Sequence, residues 1–276
     1  MTSFITASNF SYQHLPFERF LDDAADLGRE KVELWGVAPH FHVPRVSDAK
    51  ARAVRRSVES RGLSVHCLTP EQVAYPVNVA SPHTWLRAES VAMFRRAAEL
   101  AAELGAELLL LTPGRGLESE PVEAALRRSA DAIAEIASYA ATLGVSCVLE
   151  ALQRVESNLV NDAPALARMI GDIGAPNLGA VLDTVAMAAA GESVDDYFDA
   201  LGDLVRHVHL IDGRPTGHLA WGDGTLPLAD LLAAFERRGY RGLMTFELFG
   251  DGTYAFDPRP VVERCLAAVR TAGRVA

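Results

Sequence analysis

Four residues in the second half of the chain carry the chemistry that the sequence offers. Glu150, Asp183, His209 and Glu247 each close a short apolar run, in Val148-Leu149-Glu150, Val181-Leu182-Asp183, His207-Val208-His209-Leu210 and Thr245-Phe246-Glu247. Taken singly, an acidic residue at such a place is an ordinary surface or capping group, and a His is an ordinary hydrogen-bonded core residue. Four metal-compatible residues closing four consecutive runs are a different matter. Three carboxylates gathered together repel one another and lose hydration, and a divalent cation relieves both penalties. Carboxylate oxygens with one imidazole nitrogen suit Mn²⁺, Mg²⁺ or Co²⁺ and accept Zn²⁺.

The elements that must position these groups can be read along the chain. Eight apolar runs read as buried strands, at 4–6, 32–35, 64–68, 107–112, 145–150, 178–183, 205–211 and 243–247. The unbroken Leu108-Leu109-Leu110-Leu111 suits a parallel strand covered on both faces. Between the runs lies helix punctuation, with Pro near the starts and Gly past the ends. Pro16 precedes a helix that Gly28 ends, and Ser47 caps one that Gly62 ends. Ser81-Pro82 begins a long helix ending at Gly105, and another spans 119–143 before Gly144. Ser193 caps the next, Pro227 begins one stopped by Gly239, and Pro258 and Pro260 precede the last. Eight such units predict an α/β protein, a (β/α)8 TIM barrel forming a single domain over residues 1–276. A doubly wound open sheet is disfavoured, because no GxGxxG follows the first strand. In a barrel all four residues stand at the C-terminal mouth, where active sites are built.

Composition narrows the partners. The 276 residues include 26 basic and 36 acidic side chains, for a net charge of −10, with 49% hydrophobic and 22% charged residues. That balance argues against nucleic-acid binding, which leaves a basic footprint. Cys67, Cys147 and Cys265 are few, scattered and without a CxxC, as expected of buried free thiols in a reducing compartment. The first residues lack a basic and an apolar region, so no signal peptide is expected, and no apolar run reaches membrane-spanning length. A cytoplasmic protein with no membrane partner is the expectation.

The sequence resembles the xylose-isomerase-like sugar isomerase and epimerase superfamily of TIM barrels. The likeness is carried by Val32-Glu33-Leu34-Trp35-Gly36 with Pro39-His40, by Thr69-Pro70-Glu71 with Tyr75-Pro76-Val77-Asn78, by Glu156-Ser157-Asn158, and by Gly222-Asp223-Gly224 after His218. It is nearest to ketose 3-epimerases of the fructoselysine and tagatose types. The resemblance implies one divalent metal per chain held by Glu150, Asp183, His209 and Glu247. It also implies that Glu150 and Glu247 are the catalytic acid and base, that Glu156 contacts the sugar's terminal hydroxyls, and that the protein is a homo-oligomer, a dimer or a tetramer.

The implied activity is 3-epimerisation of a ketose or ketose adduct through an enediolate. The same barrel and metal set serve aldose–ketose isomerases and inosose or keto-sugar dehydratases and lyases, and a metal-free binding protein is a reading from a different class. Two substrate positions depart from the tagatose type. Ala186 stands where a His three residues after the metal Asp is usual, and Pro215 where an Arg six after the metal His is usual, with Arg214 one place earlier. Arg214 and His218 are therefore candidates for substrate contact. Trp35 is a candidate to stack on the sugar, His66 is a candidate inside strand three, and Tyr75 and Asn78 are candidates to cover the mouth. His207 shares a face with His209 and is expected to support the site from below.

Overall fold

Eight parallel strands close on themselves in sequence order in a computed structural model that describes residues 3–72 and 76–273. The strands are β1 (Ile5–Ser8), β2 (Lys31–Gly36), β3 (Ser64–Pro70), β4 (Leu108–Leu111), β5 (Ser146–Glu150), β6 (Leu178–Asp183), β7 (Val205–His209) and β8 (Met244–Thr245). Around them, among the described residues, lie α1 (Phe17–Asp26), α2 (Asp48–Glu59), α3 (Thr84–Leu104), α4 (Val122–Thr142), α5 (Ala163–Ile173), α6 (Thr184–Ala189), α7 (Val194–Leu201), α8 (Leu228–Arg237) and α9 (Pro258–Ala272). The expected barrel is present. None of the described helices is long and apolar enough to cross a membrane.

Strand alternation sorts side chains into two apolar regions. Leu109, Leu111, Cys147, Leu149, Ala180, Leu182 and Val208 face outward and pack with the helices in the large core. Cys67, Leu108, Leu110, Val148 and Val181 form a small separate cluster inside the barrel. Period-two alternation then dictates what lies above that inner plug. Two residues beyond Val148 is Glu150, two beyond Val181 is Asp183, and two beyond His207 is His209. The apolar plug is the floor on which the polar residues stand.

Register places them side by side. Glu150 pairs with Val181, Asp183 with His209, and His209 with Thr245. On the other wall β2 and β3 slip past one another, so that Val32 pairs with Val65 but Glu33 with Cys67. His66 is the extra residue of that bulge. The slip keeps Glu33 and Trp35 facing the interior while Cys67 and Thr69 do the same from β3.

Helix ends obey the local signals in most places. Ser47 Oγ accepts the Lys50 amide, and Ser193 forms a reciprocal capping box with Asp196. The expected helix starting at Ser81-Pro82 begins at Thr84, and the one expected over 119–143 covers Val122–Thr142. Pro258 and Pro260 lie inside the first turn of α9 rather than before it. Strand eight is shorter than its apolar run, and ladder pairing stops at Thr245.

Candidate metal centre and sugar pocket

His209 is the hub. Its Nδ1 lies 2.9 Å from Glu150 Oε1, 3.4 Å from Glu247 Oε2 and 3.7 Å from Asp183 Oδ2. One ligand atom from each of Glu150, Asp183 and His209 falls within 4.8 Å of the others. Donors at ~2.1 Å from a common ion stand ~3 to 4.2 Å apart, so this spacing fits a single divalent cation. Two of the candidate donor atoms also lack a hydrogen bond within the chain. His209 Nδ1 and Asp183 Oδ2 are buried and make no hydrogen bond, an arrangement that costs stability unless something else satisfies them. Three carboxylates with relative exposures of 7%, 5% and 9% (Glu150, Asp183 and Glu247) around a fully buried imidazole therefore fit a metal.

Each donor is held by its surroundings. Asp183 is also the N-cap of α6, and its Oδ1 accepts the amides of Val185 and Ala186, both at 2.7 Å. That leaves Oδ2 turned to the site. His209 Nε2 lies 3.3 Å from Glu33 Oε1, while His207 Nε2 lies 2.7 Å from Glu33 Oε2. Glu33 also accepts the Thr69 hydroxyl at 2.5 Å. A carboxylate only accepts hydrogen bonds, so His209 gives Glu33 its Nε2 proton, and Nδ1 is the nitrogen that a cation would take up on the three-carboxylate side. Glu33 entered the sequence analysis only within the segment Val32-Glu33-Leu34-Trp35-Gly36, with no role assigned to it.

The electrostatics match a site built around positive charge. Burial opposes a charged imidazole at His209, yet the carboxylates of Glu247, Glu150 and Glu33 outweigh it and raise its pKa well above the usual range. Burial pushes Glu150 up to about 7, and it raises Asp183 as well. Burial acts the same way on Glu247, but His209 and His218 overcome it and hold its carboxyl below the usual value.

Above the donors lies a cavity of about 510 Å³ whose wall includes Trp35, Gln72, Glu156, Ala186, His218 and Phe249, enough for a hexose and a substituent. Trp35, Glu156 and His218, all expected from the sequence, thus line one space with Glu150, Asp183 and Glu247. Phe10 and Phe249 were not expected. Their rings stand 5.5 Å apart, and Phe10 lies 4.3 Å from Trp35, forming one aromatic wall. Glu156 Oε2 accepts the Gln153 amide at 3.0 Å, and burial raises its pKa.

Two expected contacts are not brought there. His66 sits at the bulge below, within 3.1 Å of Glu107, where it faces the His207 ring. Arg214 is exposed and gives its Nε proton to the Asp223 carbonyl at 2.6 Å. Neither lines the cavity. His207 supports His209 from below through Glu33, as expected. Asn78 braces a loop by bonding Arg115, and Tyr75 lies outside the described residues.

A parallel barrel with carboxylates and a histidine at its C-terminal mouth defines a class, and the sequence places the chain within it. The chain matches, over residues 21–271, and belongs to, the Xylose isomerase-like TIM barrel family. Among its relatives is the fructoselysine 3-epimerase of Escherichia coli O157:H7, 30% identical over 261 residues that cover 94% of each chain. The D-psicose 3-epimerase of Agrobacterium fabrum is 28% identical, covering 84% of this chain and 79% of that one. A solved L-ribulose 3-epimerase superposes with a TM-score of 0.82 at 24% identity, over 98% of this chain and 95% of that one.

Proposed function

We propose that this protein is a divalent-metal-dependent sugar epimerase that inverts C3 of a ketose or ketose adduct. The carrying observation is the convergence of Glu150, Asp183 and Glu247 on Nδ1 of His209 beneath a sugar-sized cavity. The names of the relatives, ketose 3-epimerases, support the same reading. Mn²⁺, Mg²⁺ or Co²⁺ suits this donor set, and Zn²⁺ is accepted. The bound ion supplies Lewis-acid stabilisation of the negative charge that develops when a ketose loses its C3 proton.

The chain's own residues do the rest. Epimerisation takes a proton from one face of C3 and returns one to the other. In this reading Glu150, at the end of β5, and Glu247, just past β8, are the two proton-transferring groups. Glu150, pushed up to about 7 by burial, is suited to hold a proton near neutral pH, whereas Glu247 is held ionised. Trp35, Phe10 and Phe249 provide an apolar wall for the sugar. Glu156 offers a polar contact away from the reacting carbon. We further carry into this reading one barrel domain over the whole chain, a homo-oligomer, and work in the cytoplasm.

The test is incubation of metal-loaded protein with a panel of free and amine-linked ketoses in D₂O. Deuterium at C3 with appearance of the C3 epimer is expected, and both should vanish in Glu150→Gln and Glu247→Gln. Exchange at C1 with aldose formation would instead mark an isomerase, and loss of water a dehydratase. Neither exchange nor bound metal would leave a binding protein.

A further inference from the structure

Glu247 differs from the other three donors in how it is held. Glu150, Asp183 and His209 are paired ladder residues, fixed by the sheet. The last paired residue of β8 is Thr245, so Glu247 lies beyond the ladder with no strand neighbour to set its backbone. Its support comes from one residue in the loop after β7. His218 Nδ1 lies 3.1 Å from Glu247 Oε2 and 3.2 Å from the Glu247 carbonyl. In return the His218 carbonyl accepts the amides of Phe249 at 3.0 Å and Gly250 at 2.7 Å. Both Glu247 atoms are acceptors, so Nδ1 is the protonated nitrogen.

The support is itself rigid. Asp212 and Leu219 exchange two backbone bonds across the base of the loop, at 3.0 and 2.9 Å. The Asp212 carboxylate accepts the amides of Gly213, Gly222, Gly224 and Leu226, and the Ala220 amide is bonded to the Tyr254 hydroxyl. We infer that His218 is the positioning residue for Glu247. It stands in for the missing ladder pair and aims the carboxylate at the metal centre, and its Nδ1 does this rather than bind sugar. The geometric claim stands by itself, and its catalytic consequence rests on the epimerase reading above.

Asn is the informative replacement, because its amide nitrogen occupies the place of Nδ1 while the rest of the ring is gone. Phe is the converse, since it keeps a ring against Phe10, now 6.1 Å from the His218 ring, and removes the donor. Metal-free crystal structures and Mn²⁺ titrations followed by electron paramagnetic resonance are compared for H218A, H218F and H218N. In H218A and H218F the Glu247 carboxylate should leave its place beside His209 and Mn²⁺ affinity should fall at least tenfold. In H218N the carboxylate should return and the affinity recover to within about threefold, with kcat recovering more than KM. The inference is overturned if Glu247 keeps its place in H218A and H218F, or if H218N is no better than H218A. A wild type that binds no Mn²⁺ would count against the epimerase reading, and the crystal structures would still decide the role of His218.

Discussion

Glu33 Oε1 stands 3.3 Å from His209 Nε2, across the imidazole from the carboxylates that surround Nδ1. A buried carboxylate thus sets the tautomer of the ring that the proposed metal would use, and burial of Glu33 is tolerated because His209, His207 and Thr69 all give it protons. Those two imidazoles overcome the burial that would raise its pKa and hold it well below the usual value. Glu33→Gln removes the charge and leaves one acceptor oxygen for three donors. Removing such a support from a ligating His typically costs ~10- to 100-fold in metal affinity. That loss is expected in Mn²⁺ titrations of the variant, with folding checked by circular dichroism. An unchanged affinity would mean that His209 needs no partner on its Nε2 side.

Metal binding should release protons. Glu150 is raised to about 7 by burial, and His209 is raised by its carboxylates in spite of burial. Both shifts favour the protonated forms in the metal-free site. A cation must displace that proton before it can use the oxygen or nitrogen beneath it. The affinity should therefore fall as pH drops through about 7, and above it should go on rising for as long as His209 still carries its second proton. Calorimetry of Mn²⁺ binding at neutral pH, repeated in buffers of different ionisation enthalpy, should show protons released on binding. A heat independent of buffer would contradict this.

Much of the architecture was legible because parallel barrels write it locally. Each buried strand is a short apolar run, and capping residues such as Ser47 and Ser193 act within a few residues of themselves. The placement of Glu150, Asp183 and His209 was legible for the same reason, since a strand's last inward residue is fixed by counting in twos, whereas Glu247 lies past the paired part of β8. Neither α5 nor α6 was among the expected helices, although Asp162, Pro164 and Gly174 bracket α5 by the same rule as the others. Their caps are Asp162 and Asp183, and Asp183 serves as a cap and as a candidate ligand through different oxygens. What escaped depends on distant partners. Glu33 is explained by His207 and His209, far along the chain, and the His66 bulge by the pairing of β3 with β2. The end of β8 at Thr245 follows from where its neighbours stop pairing, not from the apolar residues that continue to Phe246. Arg214 looked like a displaced substrate arginine by sequence position alone, and the loop turns it outward to Asp223.

The aromatic wall should govern binding more than turnover. Phe10 packs against both Trp35 and Phe249 on the side of the cavity formed by the end of β2 and the loops after β1 and β8. None of the three carries a group able to transfer the C3 proton. Trp35→Ala removes a broad apolar face from the pocket, and the expected result is a rise in KM of about tenfold with a smaller change in kcat. Steady-state kinetics on the best ketose of the panel measures the split. A loss confined to kcat would mean that Trp35 shapes the reacting geometry itself.

Two glycine substitutions should have opposite signs. Gly224 is packed against the Asp212 carboxylate, and a Cβ added there would overlap Oδ1 and Cγ of that side chain. Asp212 cannot yield without giving up the amides of Gly213, Gly222 and Leu226 that it holds. Overpacking of this kind costs ~1–3 kcal/mol, so Gly224→Ala should lower unfolding stability by about that much, and the loop bearing His218 should shift with it. Gly171 lies within α5 with nothing within 4 Å of the added atom. There the same change replaces a poor helix former with the best one, and Gly171→Ala should gain ~0.5–1 kcal/mol. Denaturant unfolding of the two variants compares them directly. A Gly224→Ala protein as stable as wild type would show that the Asp212 cradle is slack, and His218 would then lack the rigid base from which it holds Glu247.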